Sequence, residues 1–145
     1  MTVIEVKNLS AIFFEKIIFE NLNFQVKAGE ILAIIGESGA GKSTLLHVVA
    51  GFLQAKSGEI YLENELIDGP KSKLIAGHHE VKLVAQDYRL NPNFTVWENI
   101  AYSIRNYTKE YQNERVTELL EALRISHLAE KLPKNISGGE KQRTA

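Results

Sequence analysis

Polar and apolar positions alternate at Ile4 and Val6 and again at Leu22, Phe24 and Val26. That period of two predicts antiparallel strands, with Ala28-Gly29 turning the chain out of the last of them. Ile31-Leu32-Ala33-Ile34-Ile35 breaks the alternation. An uninterrupted apolar run of this length predicts a parallel strand buried on both faces. Leu45, Leu46, Val48 and Val49 then predict an apolar helix that Gly51 ends. Ser57-Gly58 opens a further strand through Ile60 and Leu62. Residues 64–80 are polar and carry the turn signal Asp68-Gly69-Pro70, so they predict an exposed connection, after which Val81 to Ala85 predicts a return to the core as a strand.

From Thr95 the period becomes helical. Thr95 followed by Glu98 is a capping box, and Val116, Leu119, Leu120 and Leu123 form an i, i+3, i+4, i+7 stripe that predicts a second helix packed on a core. Ser137 and Glu140 repeat the capping-box spacing and predict a third helix start. There is no internal repeat and no low-complexity segment.

Between the apolar run and the first helix stands Gly36-Glu37-Ser38-Gly39-Ala40-Gly41-Lys42-Ser43-Thr44, a complete G-x-x-x-x-G-K-[ST] phosphate loop. By average usage its constrained positions coincide by chance on the order of once in a few hundred chains this long. The glycines at 36, 39 and 41 let successive N–H groups turn inward as an anion nest at a helix N-terminus. Lys42 is then placed for the β- and γ-phosphates, and the Ser43 hydroxyl for the Mg²⁺ that neutralises them. The stretch Ile136-Ser137-Gly138-Gly139-Glu140-Lys141-Gln142-Arg143 raises a second question. Two glycines in a helix's first turn cost roughly 1 kcal/mol each relative to alanine, so something must require bare backbone there. An anion approaching the exposed N–H groups is one such requirement.

Composition changes this picture little. The chain has 145 residues, 44% hydrophobic and 24% charged, the profile of one globular domain or most of one. Its apolar runs fall far short of the roughly 18 residues of a membrane span. With Glu5 and Lys7 near its start it also lacks a signal peptide's apolar core, so a cytosolic chain is expected. The absence of cysteine rules out disulfides and thiolate metal sites. A net charge of −1 gives no support for binding nucleic acid. His78 and His79 lie on a polar stretch with no further ligands at metal-binding spacing, and a solvated loop is expected there.

Together the phosphate loop and Ile136-Ser137-Gly138-Gly139-Glu140 resemble the ATP-binding cassette (ABC) family, whose signature reads Leu-Ser-Gly-Gly-Gln. The resemblance spans essentially the whole chain. Gln86 falls at the family's Q-loop glutamine, after a predicted strand, and Phe13, ahead of Phe14, matches the aromatic position that stacks on adenine. The fold implied is an α/β P-loop NTPase: an N-terminal antiparallel β-subdomain, a partial parallel core sheet and a helical subdomain. Residues 1–94 are expected to form the β-subdomain and phosphate-loop core, and residues 95–145 the helical subdomain.

The resemblance implies an ATP-binding subunit that, full length, hydrolyses ATP to drive transport and lies on the inner face of a membrane through a permease subunit. Members pair head to tail, so that Ser137, Gly138, Gly139 and Glu140 serve the ATP held by a second nucleotide-binding domain. Gln86 joins Ser43 at Mg²⁺. Glu140 in place of glutamine leaves the backbone contacts untouched. The Walker B strand with its aspartate, the glutamate after it and a later histidine come after the signature in the family pattern, beyond Ala145, so no catalytic residue is expected within these 145 positions. An open edge along Ile31–Ile35 is expected to make the chain self-associate. A soluble ABC ATPase acting on ribosomes or DNA is the alternative. The short separation of Gln86 and Ser137 argues against the DNA-acting relatives, which insert long coiled coils there. A nucleotide-binding fragment without turnover is a further alternative.

Overall fold

The computed structural model describes all residues, Met1–Ala145, in two compact units, Met1–Leu83 and Val84–Ala145. The division falls upstream of the 94/95 boundary expected from the resemblance.

The first unit is built on a four-stranded sheet in the order β2-β1-β3-β4, comprising β1 (Thr2–Phe13), β2 (Lys16–Lys27), β3 (Ser57–Leu62) and β4 (Glu65–Leu66). Every pairing in it is antiparallel. The alternating residues meet as the pattern requires, Ile4 opposite Val26, Val6 opposite Phe24 and Leu9 opposite Leu22. Phe14 and Glu15 form the β1–β2 turn with φ of 45° and 63°. Glu63 and Asn64 do the same for β3–β4 with φ of 48° and 73°. Two successive left-handed residues match the twist of a two-residue hairpin, and here neither turn uses glycine. Gly58 is required by close approach: a Cβ there would stand 2.5 Å from both the Asn8 carbonyl oxygen and the Leu9 Cα on the neighbouring strand.

One face of this sheet carries Val6, Leu9, Ile60 and Leu62, which pack with Leu45 and Val48 of α1 (Lys42–Val49). Burying each such side chain contributes roughly 1.5–3 kcal/mol. Gly51 follows the Ala50 cap at φ 76°. Its N–H donates to the Val48 carbonyl, and that of Phe52 to His47, so a Schellman motif ends the helix where the glycine predicts.

Two expected strands are absent. Ile31–Ile35 and Val81–Ala85 form no ladder, and there is no parallel pair in the sheet. Ile31 is 95% and Ile35 93% exposed, although Ile34 and Val81 do pack against the core. A strand is defined by its hydrogen-bonded neighbour, and neither run has one. The polar connection after β3 is mostly exposed, but it contains the unpredicted β4 and the buried Ile67.

The second unit comprises α2 (Val96–Tyr102), α3 (Lys109–Ala122) and α4 (Gly138–Thr144), with short 3₁₀ turns at Ser126–Leu128 and Pro133–Asn135. Val96, Val116, Leu120, Ile125, Leu128 and Ile136 form its core. At the start of α2 the capping box forms as the spacing predicts, Glu98 N–H donating to Thr95 Oγ1 (3.1 Å) and Thr95 N–H to Glu98 Oε2 (2.7 Å). Val96 and Trp97 N–H groups donate to the Lys131 and Ala129 carbonyls, so no orphan donor at this end is left to solvent by default. The predicted stripe on α3 is only partly buried. Val116 and Leu120 face the core, whereas Leu123 is 37% exposed because the helix ends before it. Arg124 turns left-handed at φ 56°, and Ile125 swings into the core with its N–H on the Leu120 carbonyl. This is the Schellman motif again, without glycine.

Candidate functional site

In the first unit the chain reaches the phosphate loop through Ile31–Ile35 and bends twice in the left-handed region, at Gly39 (φ 82°) and Gly41 (φ 87°). Gly36 is not left-handed; a Cβ on it would stand 3.4 Å from Ala40 Cβ, so its smallness serves spacing. The Ala40 N–H donates to the Glu37 carbonyl (3.2 Å), closing the loop. Gly41 is the N-cap of α1 and supplies no side-chain acceptor. The N–H groups of Lys42, Ser43 and Thr44 at the helix start therefore have no intrahelical partner, and they carry the positive end of the helix dipole. Lys42 Nζ donates to the Gly36 (2.9 Å) and Glu37 (2.7 Å) carbonyls, which holds its charge at the mouth of the loop. Ser43 is exposed at the same end.

Two residues that sequence reasoning missed shape this loop. Ile18 of β2 lies under Gly41, where a Cβ would stand 2.4 Å from Ile18 Cγ2. Nothing in the local pattern announces this contact, which joins distant parts of the chain. His47 Nδ1–H donates to the Ser43 carbonyl (2.7 Å), an i, i+4 contact that the spacing on a predicted helix could have revealed. Phe13 ends β1 opposite Lys16 and is half-buried, while Phe14 at the turn is fully exposed. Both aromatic rings thus belong to the hairpin whose Ile18 touches the loop.

The second unit holds the other candidates. Gln86 sits exposed on a turn closed by the Tyr88 N–H to the Ala85 carbonyl (3.0 Å). Ser137 is the N-cap of α4, and the predicted capping box is present: Ser137 N–H donates to Glu140 Oε2 (2.7 Å) and Glu140 N–H to Ser137 Oγ (3.4 Å). The Ser137 N–H, and secondarily its hydroxyl, hold the Glu140 carboxyl below the usual carboxylate range. Gly138 and Gly139 are exposed and neither is left-handed. A Cβ on Gly138 would make ordinary contact at 3.5 Å, and one on Gly139 would meet nothing within 4 Å. Packing inside the chain thus gives no reason for either glycine. His78 and His79 stack on each other with centroids 4.7 Å apart. No group of three or more potential side-chain ligands gathers around a metal position.

The geometry is that of a phosphate loop in one unit and a capped, glycine-bearing helix start in the other. The family model described as ABC transporter matches residues 19–145. The chain belongs to the ABC transporter family. It is 37% identical over 145 residues to the spermidine/putrescine import ATP-binding protein PotA of Thermotoga maritima, covering 98% of this chain and 38% of that protein. To the Fe(3+) ions import ATP-binding protein FbpC 2 of Haemophilus influenzae it is 37% identical over 142 residues, covering 97% of this chain and 40% of that one. The chain thus spans about two fifths of the length of these ABC relatives. A solved dimeric ATP-binding cassette in a post-hydrolysis state, bound to ADP and Pi, superposes with a TM-score of 0.74 at 26% identity, covering 97% of this chain and 66% of that one.

Proposed function

We propose that this chain is the Mg-ATP-binding part of an ABC import ATPase, the whole protein hydrolysing ATP to drive transport through a membrane permease. The observation that carries this reading is the loop itself: two left-handed glycines, three unpartnered N–H groups and Lys42 held at its mouth. A polyphosphate fits such a cradle, because backbone donors and a fixed cation lose little entropy in gripping it. Residues Gly36 to Thr44 would hold the phosphates, the Ser43 hydroxyl would ligate Mg²⁺ and Phe13 would stack on adenine; the resemblance alone assigns Gln86 to Mg²⁺ as well. Mg²⁺, when bound, neutralises phosphate charge. Ser137, Gly138, Gly139 and Glu140 serve the ATP of a second nucleotide-binding domain in a head-to-tail dimer; the dimeric state of the cassette bound to ADP and Pi supports pairing. The names of the two importers support transport inward. No helix is long and apolar enough to cross a membrane.

Titrating Mg-ATP into this chain by calorimetry tests the reading. Lys42→Ala abolishes binding with far-ultraviolet circular dichroism unchanged; undiminished affinity refutes the role given to Lys42. In the same titration Phe13→Ala weakens binding by about 1–3 kcal/mol for ATP but not for inorganic triphosphate. The exposed Ile31 and Ile35 further support self-association of this chain. Light scattering at high micromolar concentration reads it directly, and a monodisperse monomer rejects it.

A further inference from the structure

The hairpin of β1 and β2 carries one residue too many where it passes the phosphate loop. Ile12 pairs with Ile17 but Ala11 pairs with Phe19, so β2 advances two residues while β1 advances one. Ile18 is the residue left over, a β-bulge without a partner across the ladder. A bulge bends its strand and re-aims one side chain. Here Ile17 is 52% exposed and Phe19 packs against the core of the first unit, while the half-buried Ile18 does neither. Its β-branch methyl meets the loop instead. A Cβ on Gly41 would stand 2.4 Å from Ile18 Cγ2, far inside the roughly 3.5–4.0 Å at which carbons pack, so that methyl rests on Gly41 itself. The Ile18 carbonyl oxygen and the Phe19 ring flank the same point at 3.6 and 3.7 Å. Gly41 is the left-handed N-cap of α1, at φ 87°, and no side-chain cap bond holds the helix start.

We propose that Ile18 is a positioning residue for the phosphate loop: the bulge sets its Cγ2 methyl as a floor under Gly41, which fixes the left-handed turn that aims the first N–H groups of α1. The inference deepens the proposed function and rests on its assignment of Gly36 to Thr44 to phosphate. Glycine enters the left-handed region without steric cost and leaves it as easily. A floor removes that freedom before any ligand arrives. The same hairpin carries Phe13, so one pair of strands sets both the ring proposed for adenine and the floor of the phosphate site.

Calorimetric titration of this chain with Mg-ATP and, separately, with inorganic triphosphate and Mg²⁺ tests the assignment. Ile18→Leu keeps the side chain's size and apolarity but moves the methyl off Cβ, and Ile18→Ala removes it. Both weaken the two ligands by the same factor, about tenfold, the scale of ordering one backbone residue. Ile18→Val keeps Cγ2 and binds as the parent does. The ¹⁵N order parameter of the Gly41 amide, measured without ligand, falls in Ile18→Leu and Ile18→Ala and holds in Ile18→Val. Undiminished affinity in Ile18→Leu, a loss confined to ATP, or an equal loss in Ile18→Val overturns the proposal; the second would make Ile18 a contact for base or sugar, the third mere apolar bulk. If Ile18→Ala does not fold, Ile18→Leu against Ile18→Val decides. Should the parent bind neither ligand, the nucleotide reading fails, and the Gly41 order parameters alone decide whether Ile18 holds the loop.

Discussion

The phosphate loop and the Ser-Gly-Gly-Glu turn both set glycines against a helix N-terminus, but for different reasons. In the loop, Gly39 and Gly41 are left-handed and Ile18 presses on Gly41, so the chain's own fold demands the missing side chain. At the start of α4, Gly138 and Gly139 have ordinary backbone, and open space surrounds the position of a Gly139 Cβ. The fold gains nothing from these two residues and gives up helix propensity for them. A glycine explained from within is fixed by the chain's own fold, whereas Gly138 and Gly139 find a reason only in the role proposed for them above.

The largest expected effect breaks the first half of that comparison. Gly41→Ala adds a left-handed penalty to an overpacked contact with Ile18 and destabilises the first unit by about 3 kcal/mol, read from the urea midpoint. Adding Ile18→Ala recovers part of that loss if the clash is its source. An unchanged midpoint for Gly41→Ala removes the internal explanation. The second half predicts the opposite sign. Gly139→Ala raises stability by up to about 1 kcal/mol and leaves Mg-ATP binding by this chain's own loop unaltered. Lower stability would show that the fold does need the glycine.

The smallest effect sharpens the view of α4 as locally capped. The Glu140 carboxyl titrates below its ordinary value because the Ser137 N–H and hydroxyl favour its charged form. A depressed folded-state value stabilises the cap above the unfolded carboxyl's pKa, and this contribution is lost as the pH falls through the folded one. The Ser137 amide resonance therefore moves at acid pH below the usual carboxylate range, and Glu140→Gln flattens that transition. A midpoint at or above the ordinary glutamate value contradicts the bond as the cause.

Legibility in the sequence followed the range of the interaction. Both capping boxes were readable because Thr95 with Glu98 and Ser137 with Glu140 close within one helical turn. The end of α1 was readable from Gly51, yet the same motif at the end of α3 was hidden, since Arg124 carries no mark of a left-handed residue. Hydrophobic content misled at Ile31–Ile35 and Val81–Ala85, where the runs are apolar enough for buried strands but a ladder needs a neighbour. The β3–β4 hairpin was missed because Glu63 and Asn64 turn the chain without the usual glycine.

By itself the sequence determined the make-up of the loop, its three glycines, its cation and its hydroxyl within nine consecutive residues, whereas only the structure showed that Gly39 and Gly41 bend it and Gly36 does not. Only the tertiary structure decided that Ile18 underpins Gly41 and that the Phe13 hairpin belongs to the loop's unit. Those contacts join residues far apart in the chain, and their partners are chosen by packing, which no local pattern encodes.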